Sequence, residues 1–132
     1  MPSLFTSIVN REIPAHILAE DANYIAFLDI RPIRAGHALV VTKAEIDDVF
    51  DLPEPLLSGL LSFARPLAHA IRQVTGASRV GIAVVGLEIP HAHVHLVPID
   101  AIGDLDFRNA RPVEDGELAA MADRIRVSLP AS

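Results

Sequence analysis

Residues 91–96 read His-Ala-His-Val-His-Leu, with imidazole and aliphatic side chains in strict alternation. Successive side chains of a strand point to opposite faces. The order therefore predicts a strand with His91, His93 and His95 on one face and Ala92, Val94 and Leu96 on the other. The second face is small and aliphatic, as a buried face should be. A neutral imidazole is a nucleophile and a protonated one pairs with phosphate; neighbouring imidazoles resist being protonated together, so their roles can differ. Such a set suits phosphoryl chemistry, where catalysis is mostly positioning and charge stabilisation. Spacing alone leaves a metal site open: His-x-His on a strand can supply two ligands, with His37 or Glu88 as a third. A solvated strand face is the plainest alternative, but three of the six histidines fall within five residues, which favours a site. His16 and His69 have no partners in sequence and read as surface or packed residues.

A strand of this kind needs neighbours, and the chain offers them. Leu4, Phe5 and Ile8 mark one side of a short N-terminal helix or turn. Ala15–Ala19 and Asn23–Asp29 read as strands, and Arg31-Pro32 with Ala35-Gly36 as a turn. His37–Thr42 then forms the return strand of a hairpin. Asp51, ahead of Pro53, is a candidate helix cap. Leu56, Leu57, Leu60, Leu61, Ala64, Leu67, Ala68 and Ile71 recur at helical spacing, and Gly76 is a natural stop. Pro66 inside that run should kink or split the helix. Arg79–Val85 and Ile89–Pro98 read as a further pair of strands broken at Gly86. Residues 100–112 are loop-like and polar. Glu114–Ser128 is a closing helix with Leu118, Met121, Ala122 and Ile125 on one face. Runs of strands and helices without regular alternation indicate an α+β fold: an antiparallel sheet with a long central helix and a C-terminal helix.

The length of 132 residues fits one domain, 1–132, with a core that needs neither disulfides nor metals. Apolar residues are 51% but aromatics only 5%, so that core should be aliphatic. A net charge of −6 argues against a nucleic-acid backbone binder while leaving room for one small phosphorylated ligand. With no cysteine, thiolate metal sites and disulfides are ruled out. Met1–Glu20 lacks the basic start and apolar run of a signal peptide, and no stretch is long enough to span a membrane, so a cytoplasmic location is expected.

Residues 91–97, His-Ala-His-Val-His-Leu-Val, fit the pattern His-φ-His-φ-His-φ-φ, with φ apolar, and the chain resembles the histidine-triad (HIT) family. The likeness extends to Ser7–Ala15, to Ala26–Pro32 and Gly36–Val41, and to Gly86, Ile89 and Pro90 before the triad. It covers residues 3 to about 100. The resemblance implies a homodimer that binds a purine nucleotide (AMP- or GMP-like), with no cofactor. It implies hydrolysis or nucleotidyl transfer at the α-phosphorus of a phosphoramidate or dinucleoside polyphosphate. His93 would be the nucleophile, His91 and His95 would flank it, and His37 would support them. Asp29 would bind the ribose, and Leu4, Phe5, Ile8, Phe27 and Ile30 would line the base pocket. Backbone N–H groups near Gly86–Glu88 would hold phosphate oxygens.

The departures matter as well. Many members hold a structural zinc with Cys-x-x-Cys and a later histidine; the matching positions here are Ser3, Thr6 and Glu45, so that zinc is not expected. Leu87 stands where a glutamine is usual, and Ile99 where arginine is frequent. Glu88 sets a carboxylate near the phosphate unless it points away. Two alternatives stay open: a nucleotide-binding module with little activity, and a metal-dependent enzyme using the histidine strand.

Overall fold

A computed structural model describes residues 2–130. Eight main elements follow one another: α1 (Leu4–Val9), β1 (Ile17–Glu20), β2 (Tyr24–Leu28), β3 (Ala38–Thr42), α2 (Leu56–Thr75), β4 (Arg79–Ala83), β5 (His93–Ile99) and α3 (Asp115–Ser128). The five strands form one antiparallel sheet in the order β1-β2-β3-β5-β4. The α+β architecture expected from the sequence is the one observed. No helix among the described residues is long and apolar enough to cross a membrane.

Alternation along the strands builds two cores. Tyr24, Ala26, Leu28, Ala38, Val40, Val94 and Leu96 face α2 and α3 and pack against Leu60, Leu67, Ile71, Leu118 and Ile125. Ile25, Phe27, Leu39 and Val41 face the other way, against Phe5 and Ile8 of α1. The β3–β5 register pairs Val41 with His93 and Leu39 with His95, so both histidines lie on the side that α1 partly covers.

α2 runs unbroken through Pro66. The carbonyl that loses its partner belongs to Ser62, on the exposed side of the helix where water can replace it. Leu60, Leu67 and Ile71 are buried; at roughly 1.5–3 kcal/mol each they outweigh the ~3 kcal/mol proline penalty. Gly76 ends the helix in the left-handed conformation, at φ +72°.

Four elements have bounds that differ from expectation. Asp51 does not cap α2; it ends a short 3₁₀ turn, Val49–Asp51, whose own cap is Asp48. Pro55 explains the later start at Leu56, because the residue before a proline is pushed out of the helical region. β5 begins at His93 and not at Ile89: the His91 amide donates to the Ile89 carbonyl and the Ala92 amide to that of Ile46, so neither joins the ladder. β1 lies slightly later than read, at Ile17–Glu20, and β4 stops at Ala83.

Candidate active site

His91, just ahead of β5, is fully buried and held at both ring nitrogens. Its Nε2 lies 2.6 Å from the Thr42 carbonyl, which can only accept, so Nε2 carries the proton. Its Nδ1 is then the acceptor for the Ser3 hydroxyl, at 2.6 Å. The His91 carbonyl lies 2.6 Å from His93 Nδ1, which places the His93 proton on Nδ1 and leaves Nε2 with its lone pair.

His95 carries the opposite tautomer, set from the hairpin turn. The Ile33 amide donates to His37 Nδ1 at 3.0 Å, so the His37 proton sits on Nε2. That N–H faces His95 Nδ1 at 3.0 Å, and His95 therefore keeps its proton on Nε2. The pair at the centre offers a lone pair on His93 Nε2 and a donor on His95 Nε2, with ring centroids 5.0 Å apart. No described residue bonds either atom, and neither is sealed from solvent.

Burial disfavours the charged form of His37, His93 and His95. It lowers His37 to about 4. It lowers His95 to about 3, helped by the repulsion that His95 would meet if His37 or His93 were protonated as well. His93 is also held below the ordinary histidine value by burial, opposed by its bond to the His91 carbonyl. Burial raises Asp29, whose Oδ2 stands 3.6 Å from His37 Nε2 and whose Oδ1 accepts the Arg31 amide.

Most of the expected site residues converge. The Phe5 ring stands edge-on to His93 at 4.9 Å and to Phe27 at 5.5 Å, with Ile8 in the same cluster. Leu4 and Ile30 are largely exposed at 46% and 65%, so they are free to meet a ligand rather than fixed in the core. Glu88 is exposed and bonds none of the histidines. A residue missed in the sequence is Phe107, in a 3₁₀ turn after β5, whose ring packs edge-on to His95 at 4.8 Å and His37 at 6.4 Å. A phenylalanine alone in a polar loop was the only hint of it. Together with Phe5 of α1 it flanks the histidine face, where His93 and His95 are 6% and 9% exposed.

Among the described residues, the donors close enough to share a metal are Asp29, His37 and His95, within 4.8 Å of one another. His93 and Glu88, ligands considered from the sequence, are not in that group. The His37–His95 hydrogen bond accounts for the approach of these rings, and every buried polar side-chain atom described has a partner. A separate cavity of about 410 Å³ behind the hairpin turn touches Asp29 and His37 but neither His93 nor His95.

The three positions matched to the family's zinc ligands also converge. Glu45 Oε1 accepts the Ser3 amide at 2.7 Å and the Thr6 hydroxyl at 2.6 Å.

Comparison with known proteins gives the family and agrees with the fold. The HIT domain matches residues 10–102. An uncharacterised HIT-like protein of Mycobacterium tuberculosis is 34% identical over 103 residues, 74% of this chain and 72% of that one. The adenosine 5′-monophosphoramidase of Saccharomyces cerevisiae is 33% identical over 96 residues, 72% of this chain and 61% of the yeast protein. In fold, a HIT-like protein of Bartonella henselae superposes with a TM-score of 0.85 over 96% of both chains, at 23% identity.

Proposed function

From its membership of the HIT domain family, to which residues 10–102 assign this chain, we propose that it is a nucleotide hydrolase acting at an α-phosphorus through a covalent histidine. The observation that carries this reading is the pair of tautomers: His93 offers a lone pair at Nε2 while His95 offers an N–H beside it. The monophosphoramidase name of the yeast relative supports a purine nucleoside phosphoramidate as the substrate class.

In the first step His93 Nε2 forms a bond to phosphorus and the phosphorus–nitrogen bond of the substrate breaks. The amine leaves with that electron pair and takes a proton from water. The positive charge gained by the His93 ring is shared through Nδ1–H with the His91 carbonyl. The His95 N–H binds a phosphoryl oxygen where negative charge is held. In the second step a water oxygen bonds to phosphorus, the electron pair returns to His93 Nε2, and the nucleoside monophosphate is released with one proton, which neutralises the hydroxide left by protonation of the amine. One water is consumed overall, and one hard displacement becomes two easier ones. Asp29 binds the ribose hydroxyls, while Phe5, Ile8 and Phe27 with Leu4 and Ile30 hold the base.

Incubation with adenosine phosphoramidate labelled at phosphorus should trap an adduct in the wild type and none in His93→Ala. Equal turnover by both proteins would sink the mechanism. Binding of AMP by calorimetry, with no turnover of any phosphoramidate, would turn the reading to a nucleotide-binding module. That second reading is favoured by Leu87, 88% exposed before the triad, whose side chain has no donor to offer a phosphate.

A homodimer through β4 belongs to the same proposal. This edge strand leaves one side unpaired, and Ile82 on it and Val84 and Val85 just beyond its end are about half exposed. Sedimentation at twice the mass of one chain supports it.

A further inference from the structure

Around the first histidine of the triad the side-chain hydrogen bonds form a directed chain. The Ser3 hydroxyl has one proton and two candidate acceptors: His91 Nδ1 at 2.6 Å and Thr6 Oγ1 at 3.4 Å. The shorter contact takes it. The same hydroxyl oxygen accepts the Thr6 amide at 3.1 Å and so caps α1. The Thr6 hydroxyl sends its own proton to Glu45 Oε1, which also receives the Ser3 amide. These two bonds hold the Glu45 carboxyl below the ordinary carboxylate range, the Ser3 amide contributing most. On the far side, His91 reaches Thr42 through its ring and His93 through its carbonyl.

We propose that Glu45, with Ser3 and Thr6, is a positioning group for the reaction: a polar latch that fixes His91, and through the His91 carbonyl the tautomer and aim of His93. The latch also docks α1. Phe5 lies between the two latched residues, and its ring packs on His93 at 4.9 Å and His91 at 5.7 Å. α1 has only six residues, too short to be a stable helix alone. Its place therefore depends on the Phe5 and Ile8 contacts and on the latch. Glu45 is exposed in the loop after β3 and bonds none of the triad histidines, so it reaches them through Ser3 and Thr6.

The proposal rests on His93 as the reactive histidine, but its first test does not need turnover. Nitrogen-15 spectra of the imidazoles should give His93 as the Nδ1–H tautomer and His91 as Nε2–H in the wild type. In Glu45→Ala and Thr6→Val, His93 should become a mixture of both tautomers. The Ser7 and Asn10 amides should exchange at least about tenfold faster, while the β2 and β3 amides keep their protection and report an intact sheet. Thr6→Ser should restore both wild-type signatures, since it keeps the hydroxyl. Should Glu45→Ala fold poorly, Glu45→Gln keeps the shape and weakens the acceptor, and the same shifts are expected at smaller size. Unchanged tautomers and unchanged α1 protection in these variants would overturn the latch. With a phosphoramidate substrate, kcat should fall about three- to tenfold in Glu45→Ala and recover in Thr6→Ser relative to Thr6→Val. Absence of turnover even in the wild type would count against the hydrolase reading, while the spectra still decide the latch.

Discussion

Four imidazoles in contact carry their protons on different nitrogens, and backbone groups decide which. The Thr42 and His91 carbonyls and the Ile33 amide fix His91, His93 and His37, and His37 fixes His95. Alternation in the sequence was enough to expect a histidine face, and the family likeness supplied His37 and Asp29. The tautomers were not legible, because they depend on carbonyls and amides from other segments of the chain. Two predictions belong at this scale. Since burial lowers the His93 pKa, its lone pair is available at lower pH than in a free histidine. The acid limb of kcat/KM should therefore fall below pH 6.5, and a limb at or above 6.5 would contradict that environment. Phe107 packs on His95 and His37, whereas Phe5 packs on His91 and His93. Phe107→Ala should admit water, so the His95 pKa, held near 3 by burial, should rise toward the ordinary value. Histidine proton titration by NMR reads this directly, and an unmoved His95 would show that Phe107 does not shield it.

At the scale of elements, strands and helices were readable where side-chain periodicity governs them and misread where proline or a tertiary hydrogen bond does. The aliphatic repeat of α2 was plain; its start was not, because Pro55 overrides the capping signal at Asp51. The start of β5 was hidden for another reason: the alternation of His91 and Ala92 continues the strand pattern, but their amides bond to Ile89 and Ile46. The β2–β3 turn matters most for the site, since it delivers Asp29 and His37 together. Gly36 makes that delivery possible. Its φ is +101°, and a Cβ there would meet the Thr75 methyl at 2.9 Å, with Ile71 and Pro98 each at 3.5 Å. Gly36→Ala should cost roughly 1–3 kcal/mol, through both the strained backbone and the contact with α2. It should also displace His37 from His95. Urea unfolding measures the first effect, and loss of the slowed exchange of the His37 ring proton reports the second. Wild-type stability in Gly36→Ala would mean that the turn can adopt another conformation.

The whole molecule places its polar face inside a small aliphatic fold, and this has a consequence for stability. His37 and His95 are neutral and buried, with pKa values of about 4 and about 3; in the unfolded chain both return to about 6.5. Between those limits the unfolded state binds more protons than the folded one, so stability rises with pH. The contribution of each ring is complete above pH 6.5 and is lost as pH falls toward its folded value, at about 1.4 kcal/mol per pH unit. His93 is shifted the same way and adds to the effect. Asp29 works in the opposite sense, because its carboxyl is raised by burial. The carboxylates held low by hydrogen bonds, Glu20, Glu45, Asp100, Asp104 and Asp106, release their contribution only below the ordinary carboxylate range. From pH 7 to 5 the slope is therefore set by the histidines, with Asp29 opposing them. Unfolding free energy should drop by roughly 2–4 kcal/mol across that interval, a large part of what a domain of this size has to lose. His37→Gln, which keeps an N–H to offer His95, should flatten the slope without abolishing folding. A stability that does not change between pH 7 and 5 would mean that the imidazoles take up protons as readily folded as unfolded, and so that the histidine face is wet.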